Sequence, residues 1–386
     1  MAILEPSTGL VEWIASLFCA EEPIVMREWF RWESHAILEL LPRIPSELSV
    51  DCLITGPVLA AGGSVAEKLG RPYLTVCTAP PLNEDIGLPP PFTSWNYADS
   101  SLARIRNRIE YVGWRWFSRP TREVINRYRK RCGLRRLARL EDAYCPFTQI
   151  TQLLPQFDFP GSQMPPPFHY VGSLSADRAA RPQAFPWEHL GGRPVIFASL
   201  RTIADTLNGP VYPKIAAACE GLDAQLILAR GKWDDEECGR KSTDQLAGNS
   251  LAVDFSPQRA ILEWTAVIVT HAEISTTLEV IRRAVPTVAL PRGADQPANA
   301  ARILYSGAGL AESFYRDSPH QIRKWVSQVL MDGLFRDRSQ SLKRAMQRAG
   351  GARRTADSTE QVLITHSPVT QSKSDSVMDA PAHPGG

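Results

Sequence analysis

Residues 266–310, AVIVTHAEISTTLEVIRRAVPTVALPRGADQPANAARILYSGAGL, constrain the fold of this chain more than any other stretch. Positions 266–270 form a short apolar run rich in β-branched residues, which predicts a buried strand. A polar turn, an amphipathic helix and a second buried run at 287–290 follow. A loop with Asp295-Gln296 and another helix come next. Buried strands alternating with helices in this way belong to a parallel α/β sheet. His271 stands where the first strand ends and the helix begins. A helix start offers unpaired backbone N–H groups and the positive end of its dipole, so phosphate binds there readily. Ligands of open α/β sheets lie beyond the carboxyl ends of the strands. His271, followed by Ser275, Thr276 and Thr277, therefore suits a diphosphate. Glu279, one turn on, can accept hydrogen bonds from ribose hydroxyls. The segment reads as a nucleotide-diphosphate site.

The same residues carry a resemblance. Phe255-Ser256-Pro257-Gln258, Thr270-His271, Ser275-Thr276, Glu279, Val285-Pro286 and Asp295-Gln296 occur in this order. The pattern resembles the donor signature of GT-B nucleotide-sugar-dependent glycosyltransferases, the UDP-glycosyltransferase family. The likeness spans residues 50–350 and includes DFPGSQMPPPFHYVG, NEDIGLPPPFTSWNY and AGGSVAEKLGRPYLTVC. Those stretches look most like zeaxanthin glucosyltransferases and their relatives in secondary metabolism. The resemblance implies an α/β chain of GT-B type, with two Rossmann-like doubly wound domains, the first incomplete. It also implies transfer of a hexose, with inversion, from a nucleotide sugar to a hydroxyl of a hydrophobic small molecule. A UDP-linked sugar is expected, as co-substrate, with no metal and no other cofactor.

Site roles follow by resemblance, position by position. His271 would contact the diphosphate, Ser275 and Thr276 would add donors, and Glu279 would hold the ribose. Phe255 would stack on the base with Gln258 beside it. Asp295 and Gln296 would bind the sugar hydroxyls, and Ser199 and Thr202 belong to the first donor-side loop. Some positions depart from the pattern. Ala272-Glu273 stands where relatives have a glycine-containing pair, Ser275 where Asn is usual, and Arg201 where a glycine is usual. A carboxylate beside a diphosphate repels it by about 1–4 kcal/mol at 4 Å for effective dielectrics of 80 to 20. Arg201 could offset that charge.

The acceptor half departs further. The family's base is a His in a Gly-His loop, oriented by an Asp, yet no Gly-His pair occurs here and Gly56 holds the Asp position. His35, in a predicted helix, is the one N-terminal His and thus the one candidate base; as a lone helix-face residue it reads first as a surface His. Two alternatives stay open: a catalytically impaired glycosyltransferase-like binding protein, and a truncated gene model.

A chain of 386 residues exceeds one ordinary core, so two domains are expected. Residues 1–172 form the acceptor-side domain and 173–192 the linker. Residues 193–350 form the donor domain, and 351–386 a C-terminal segment with a disordered tail from 366. Strands are predicted at 52–56, 73–77, 148–153, 195–199, 226–229, 251–254, 266–270 and 287–290. Helices are predicted at 58–69, 101–131, 213–221, 259–263, 319–331 and 335–350. The seven cysteines show no C-x-x-C or repeated spacing, which reads as reduced thiols rather than a zinc site or disulfide framework. The N-terminus shows neither a basic leader nor a long apolar run, so a soluble cytoplasmic protein is expected. Between 102 and 140 stand twelve Arg and one Lys against two Glu, interleaved with Tyr, Trp and Phe. That pattern suits peripheral contact with an anionic membrane, or else a solvated helical pair. A net charge of +2 and the absence of a binding motif argue against nucleic acid.

Overall fold

Apolar β-branched runs build two parallel sheets in the computed structural model, which describes residues 23–44, 50–161, 164–175, 185–200, 211–229, 250–253, 256–311 and 318–370. The first sheet holds β1 (Leu53–Thr55), β2 (Tyr73–Cys77), β3 (Gln149–Thr151) and β4 (Phe168–Tyr170), side by side in chain order. All three pairings are parallel, with Leu53 opposite Tyr73, Thr75 opposite Gln149, and Gln149 opposite Phe168. Helices α1 (Pro23–Leu40), α2 (Ala61–Leu69), α3 (Ser101–Phe117) and α4 (Arg119–Arg131) accompany it. Leu38, Val65, Ile125 and Leu140 meet in their common core.

The second sheet has the order β10-β9-β8-β5-β6-β7, all parallel. Its strands are β5 (Val195–Ser199), β6 (Gln225–Ala229), β7 (Ser250–Val253), β8 (Thr265–Thr270), β9 (Thr287–Ala289) and β10 (Gly309–Ala311). Counted from β5, this is the doubly wound order 3-2-1-4-5-6, whose direction reverses between β5 and β8. Side chains alternate across the strands. Ile196 and Ala198 meet Ile215 of α5 (Val211–Cys219) and Val326 of α9 (Pro319–Met331). Val195 and Phe197 meet Ile261 of α6 (Gln258–Ile261) and Val280 of α7 (Ile274–Arg283) on the other face. A sheet covered on both faces needs uninterrupted apolar strands, which is how these runs read.

Past β9 come α8 (Gln296–Ser306), α10 (Gly333–Arg348) and α11 (Gly351–Thr365). The second sheet thus matches the predicted strands to within a residue, whereas β4, β10 and α11 were not anticipated. Gly350 and Gly351, at φ +90° and +49°, turn α10 into α11 rather than ending the helical region. A Cβ on Gly351 would lie 2.6 Å from the Ser173 carbonyl oxygen, so the turn needs glycine there. The chain then returns to the first sheet: Gly351 N–H donates to Val171 O at 2.7 Å, and Val369 N–H to Phe147 O at 2.8 Å. Val369 is buried, so residues 366–370, expected as the start of a tail, are held against β4 instead; 371–386 lie outside the described residues.

The C-terminal cap of α7 adds a local prediction. Ala284 takes a left-handed conformation, φ +56° and ψ +43°, as its N–H closes on Ile281 O. A Cβ is costly there by about 1–2 kcal/mol, part of which glycine returns through its looser unfolded chain. Ala284→Gly is expected to stabilise the protein by about 0.5–1 kcal/mol, read from the urea midpoint.

Candidate functional site

The carboxyl ends of β5 and β8 meet at the reversal point of the second sheet, with Ser199 paired to Thr270. His271 follows at once and is only 6 % exposed. Its Nε2 lies 3.4 Å from Glu273 Oε2, while its Nδ1 is buried with no hydrogen-bond partner. A buried ring nitrogen left unpaired is uncommon enough to call for a ligand.

Ala272, completely buried, carries φ +66°, a strained value for a residue with a Cβ. Neighbouring groups hold it. Asn299 Nδ2 donates to Ala272 O at 3.0 Å and to Asp295 Oδ2 at 2.8 Å. Asp295 Oδ2 also accepts from Ile274 N–H at 3.2 Å, taking one of the donors at the start of α7. Burial raises the Asp295 carboxyl above its ordinary range, the two donated hydrogen bonds oppose that, and the Glu273 charge adds to it. Gln296 Oε1 accepts from Arg292 N–H at 2.9 Å and Gly293 N–H at 3.3 Å, shaping the loop before α8. The loops after β8 and β9 are therefore one braced unit.

Ser275 is exposed and Thr276 buried in the first turn of α7, where backbone N–H groups have no partner within the helix. Glu273 is the N-cap residue, yet its side chain makes no cap bond and turns to His271. Glu279 is not isolated, as its Oε1 lies 3.0 Å from Arg259 Nη2 at ion-pair distance. Arg259 also donates to Ser175 Oγ, and Arg282 Nη1 donates to Ser175 O at 3.1 Å. Gln258 Nε2, at the start of α6, is buried and unpartnered. Ser199, Gln258, His271, Ser275, Thr276, Asp295 and Gln296 lie at strand ends or helix starts at this edge of the sheet, and Glu279 stands in the middle of α7. Thr202 and Phe255 lie outside the described residues, as does Arg201.

Two partners were missed in the sequence. Asn299 is legible in principle, being four residues past Asp295 on one helix face. Arg259 gives no such signal toward Glu279, because they stand on separate elements.

The acceptor side is less complete. His35 is exposed on α1, 3.4 Å from Glu39, and no hydrogen bond or ion pair joins it to the described donor residues. Gly56 follows β1, and a Cβ there would meet only ordinary contacts, Val76 O at 3.8 Å and Leu59 Cγ at 4.0 Å. An apolar recess lies behind α3, lined by Phe30, Val58, Leu82, Trp114, Phe117 and Leu140.

Comparisons with known proteins find likeness to glycosyltransferases. Residues 215–354 match the family described as "Erythromycin biosynthesis protein CIII-like, C-terminal domain". The chain is 34% identical over 330 residues to a zeaxanthin glucosyltransferase of Pantoea ananas, covering 85% of this chain and 75% of that one. The solved glycosyltransferase of kitacinnamycin superposes with TM-score 0.70 at 20% identity, covering 89% of this chain and 84% of that one. The glycosyltransferase VinC in complex with dTDP superposes with TM-score 0.61 at 18% identity, covering 89% and 81%.

Proposed function

The chain belongs to the GT-B glycosyltransferase family of the zeaxanthin glucosyltransferases, and we propose that it moves a hexose from a UDP-linked sugar to a hydroxyl of a hydrophobic small molecule. The observation that supports this most is His271 at the sheet's reversal point, with an unpartnered buried Nδ1 beside the start of α7. A diphosphate placed there meets the imidazole, the Ser275 and Thr276 hydroxyls, and the helix dipole. In the reaction the acceptor oxygen forms a bond to the anomeric carbon from the face opposite the leaving group. The bond from that carbon to the phosphate oxygen breaks, the diphosphate leaves with the electron pair, and the hydroxyl proton passes to a base. Donors aimed at the departing diphosphate lower this barrier without a metal or other cofactor. Asp295 and Gln296 are assigned to the sugar hydroxyls, Glu279 to the ribose and Gln258 to the base edge. The neighbour solved with dTDP makes a thymidine-linked donor the alternative to a uridine-linked one.

A second reading, donor binding without transfer, draws on Glu273 beside His271, the Arg259–Glu279 pair and the exposed His35. Incubation with labelled UDP-glucose and a panel of hydrophobic alcohols separates the two. Labelled product supports transfer, whereas UDP binding without product supports the second reading, and neither would refute both. Glu273→Gln removes a charge near the diphosphate and is expected to tighten UDP binding by about five- to tenfold in calorimetry. An unchanged constant would place the diphosphate elsewhere.

A further inference from the structure

The outward face of α3 is apolar. Leu102, Ile105, Ile109, Val112 and Trp116 recur at alternating spacings of three and four, which aligns them in one stripe along a helix. They are 56–79 % exposed, while Ala103, Asn107 and Tyr111 on the opposite face are buried. A helix lying on a core ordinarily presents polar residues to water. Here the most exposed line of the helix holds large apolar side chains, and contiguous apolar surface of this kind marks a contact site. Arginines border the line. At 100° per residue Arg104, Arg108 and Arg115 fall along one edge and Arg106 along the other. Arg104 is held by Asp99 at 2.8 Å, Arg106 lies over the Trp95 ring at 4.3 Å, and Arg115 pairs with Glu84. Arg108 is exposed. Glu110 is the one acid within α3. Arg27 covers one face of the Trp116 ring at 4.7 Å, so that indole is anchored although 62 % exposed.

We propose that this stripe docks on an anionic lipid surface, its apolar side chains entering the acyl boundary and its arginines lying among the headgroups. Among the described residues no helix is long and apolar enough to cross a membrane, so the contact is one of a helix lying in the interface. Charge complementarity selects lipid over a second copy of the chain. In a two-fold pairing the same patch faces itself, which sets Arg106 and Arg108, the two bordering arginines with no carboxylate partner among the described residues, against their copies; anionic headgroups neutralise them instead. The docking does not depend on the glycosyl-transfer reading.

Cosedimentation with phosphatidylcholine vesicles, with and without phosphatidylglycerol, tests the proposal on the full chain. Wild type is expected to pellet with the anionic vesicles and to be released as salt is raised. Ile105→Ser with Ile109→Ser should lower partitioning about a hundredfold, since each buried side chain of this size is worth about tenfold. Arg108→Gln should lower it about fivefold. Both positions in the double variant are exposed, so its melting temperature and its UDP affinity should match wild type, which keeps this test separate from the donor site. Wild type that stays in the supernatant with both vesicle types would overturn the proposal. So would a double variant that pellets like wild type, or one that only turns a wild-type dimer into a monomer.

Discussion

Replacing His271 by Ala is expected to lower sugar transfer about 10²–10³-fold, the usual loss when one preorganised donor to developing charge is removed. UDP binding should weaken by about tenfold or more in the same variant, as a hydrogen bond to a charged group contributes about 1.5–3 kcal/mol. The reasoning is local. Glu273 approaches only Nε2, at 3.4 Å, and Nδ1 is buried and unpartnered, so the ring is not consumed by the protein's own hydrogen bonding. Its backbone position is fixed by Thr270, which pairs with Ser199, and by the Asn299–Ala272 bond, neither of which needs the imidazole. The thermal midpoint of His271→Ala should therefore move little while the ligand-dependent increase in that midpoint disappears. If UDP binds the variant as tightly as wild type, the diphosphate does not lie at the end of β8. The calorimetric arm holds even if the chain binds its donor without turning it over.

The donor half was legible because its strands are buried on both faces and its motif sits at their ends. Uninterrupted runs such as 195–199 and 266–270 admit few alternatives once helices separate them. The two strands that escaped, β4 and β10, are both three residues long and both lie at the edge of a sheet. β4 follows Pro165-Pro166-Pro167, which reads as loop, yet proline just before an edge strand costs no ladder hydrogen bond. β10 begins at Gly309, a poor strand former. There a Cβ would come within 2.0 Å of Thr287 O, so the close approach of β9 demands glycine. α11 escaped because Gly350-Gly351 looks like a terminator and proves to be a bend between two helices. In the site, residue types and order placed His271, Asp295 and Gln296 near one another. What occupies their polar atoms was not legible. Asp295 spends one oxygen on Ile274 N–H and Asn299, and Glu279 faces Arg259, through pairings set by tertiary geometry.

Arg302→Ala is expected to destabilise the protein by about 3–5 kcal/mol, the largest stability effect at any single site considered. Arg302 Nε donates to Asp158 Oδ1 at 2.7 Å, and both side chains are almost completely buried. Tyr170 O–H donates to the other Asp158 oxygen at 3.0 Å, and the guanidinium lies 4.6 Å from the Phe159 ring centre. Truncating the arginine leaves a buried carboxylate with two neutral donors, Tyr170 O–H and Phe159 N–H, and no countercharge, which is far costlier than losing an exposed pair. Asp158 leads into β4 of the first sheet and Arg302 stands on α8, seven residues past Asp295. The pair thus ties the helix that presents Asp295 and Gln296 to the segment joining β3 and β4. Leu153, Leu154 and Phe157, packed against Ile274, Ile303 and Met346, make the same tie with apolar contacts. If the charge pair serves mainly to avoid an unpaired ion, Asp158→Leu with Arg302→Met should recover most of the lost stability, because an apolar replacement of both partners removes the desolvation cost. Donor affinity then reports on positioning. A double variant that regains its melting temperature but binds UDP more weakly than wild type would show that the pair sets the pose of α8. Equal affinity would assign it to stability alone, and a single Arg302→Ala variant within about 1 kcal/mol of wild type would refute its burial as an ion pair.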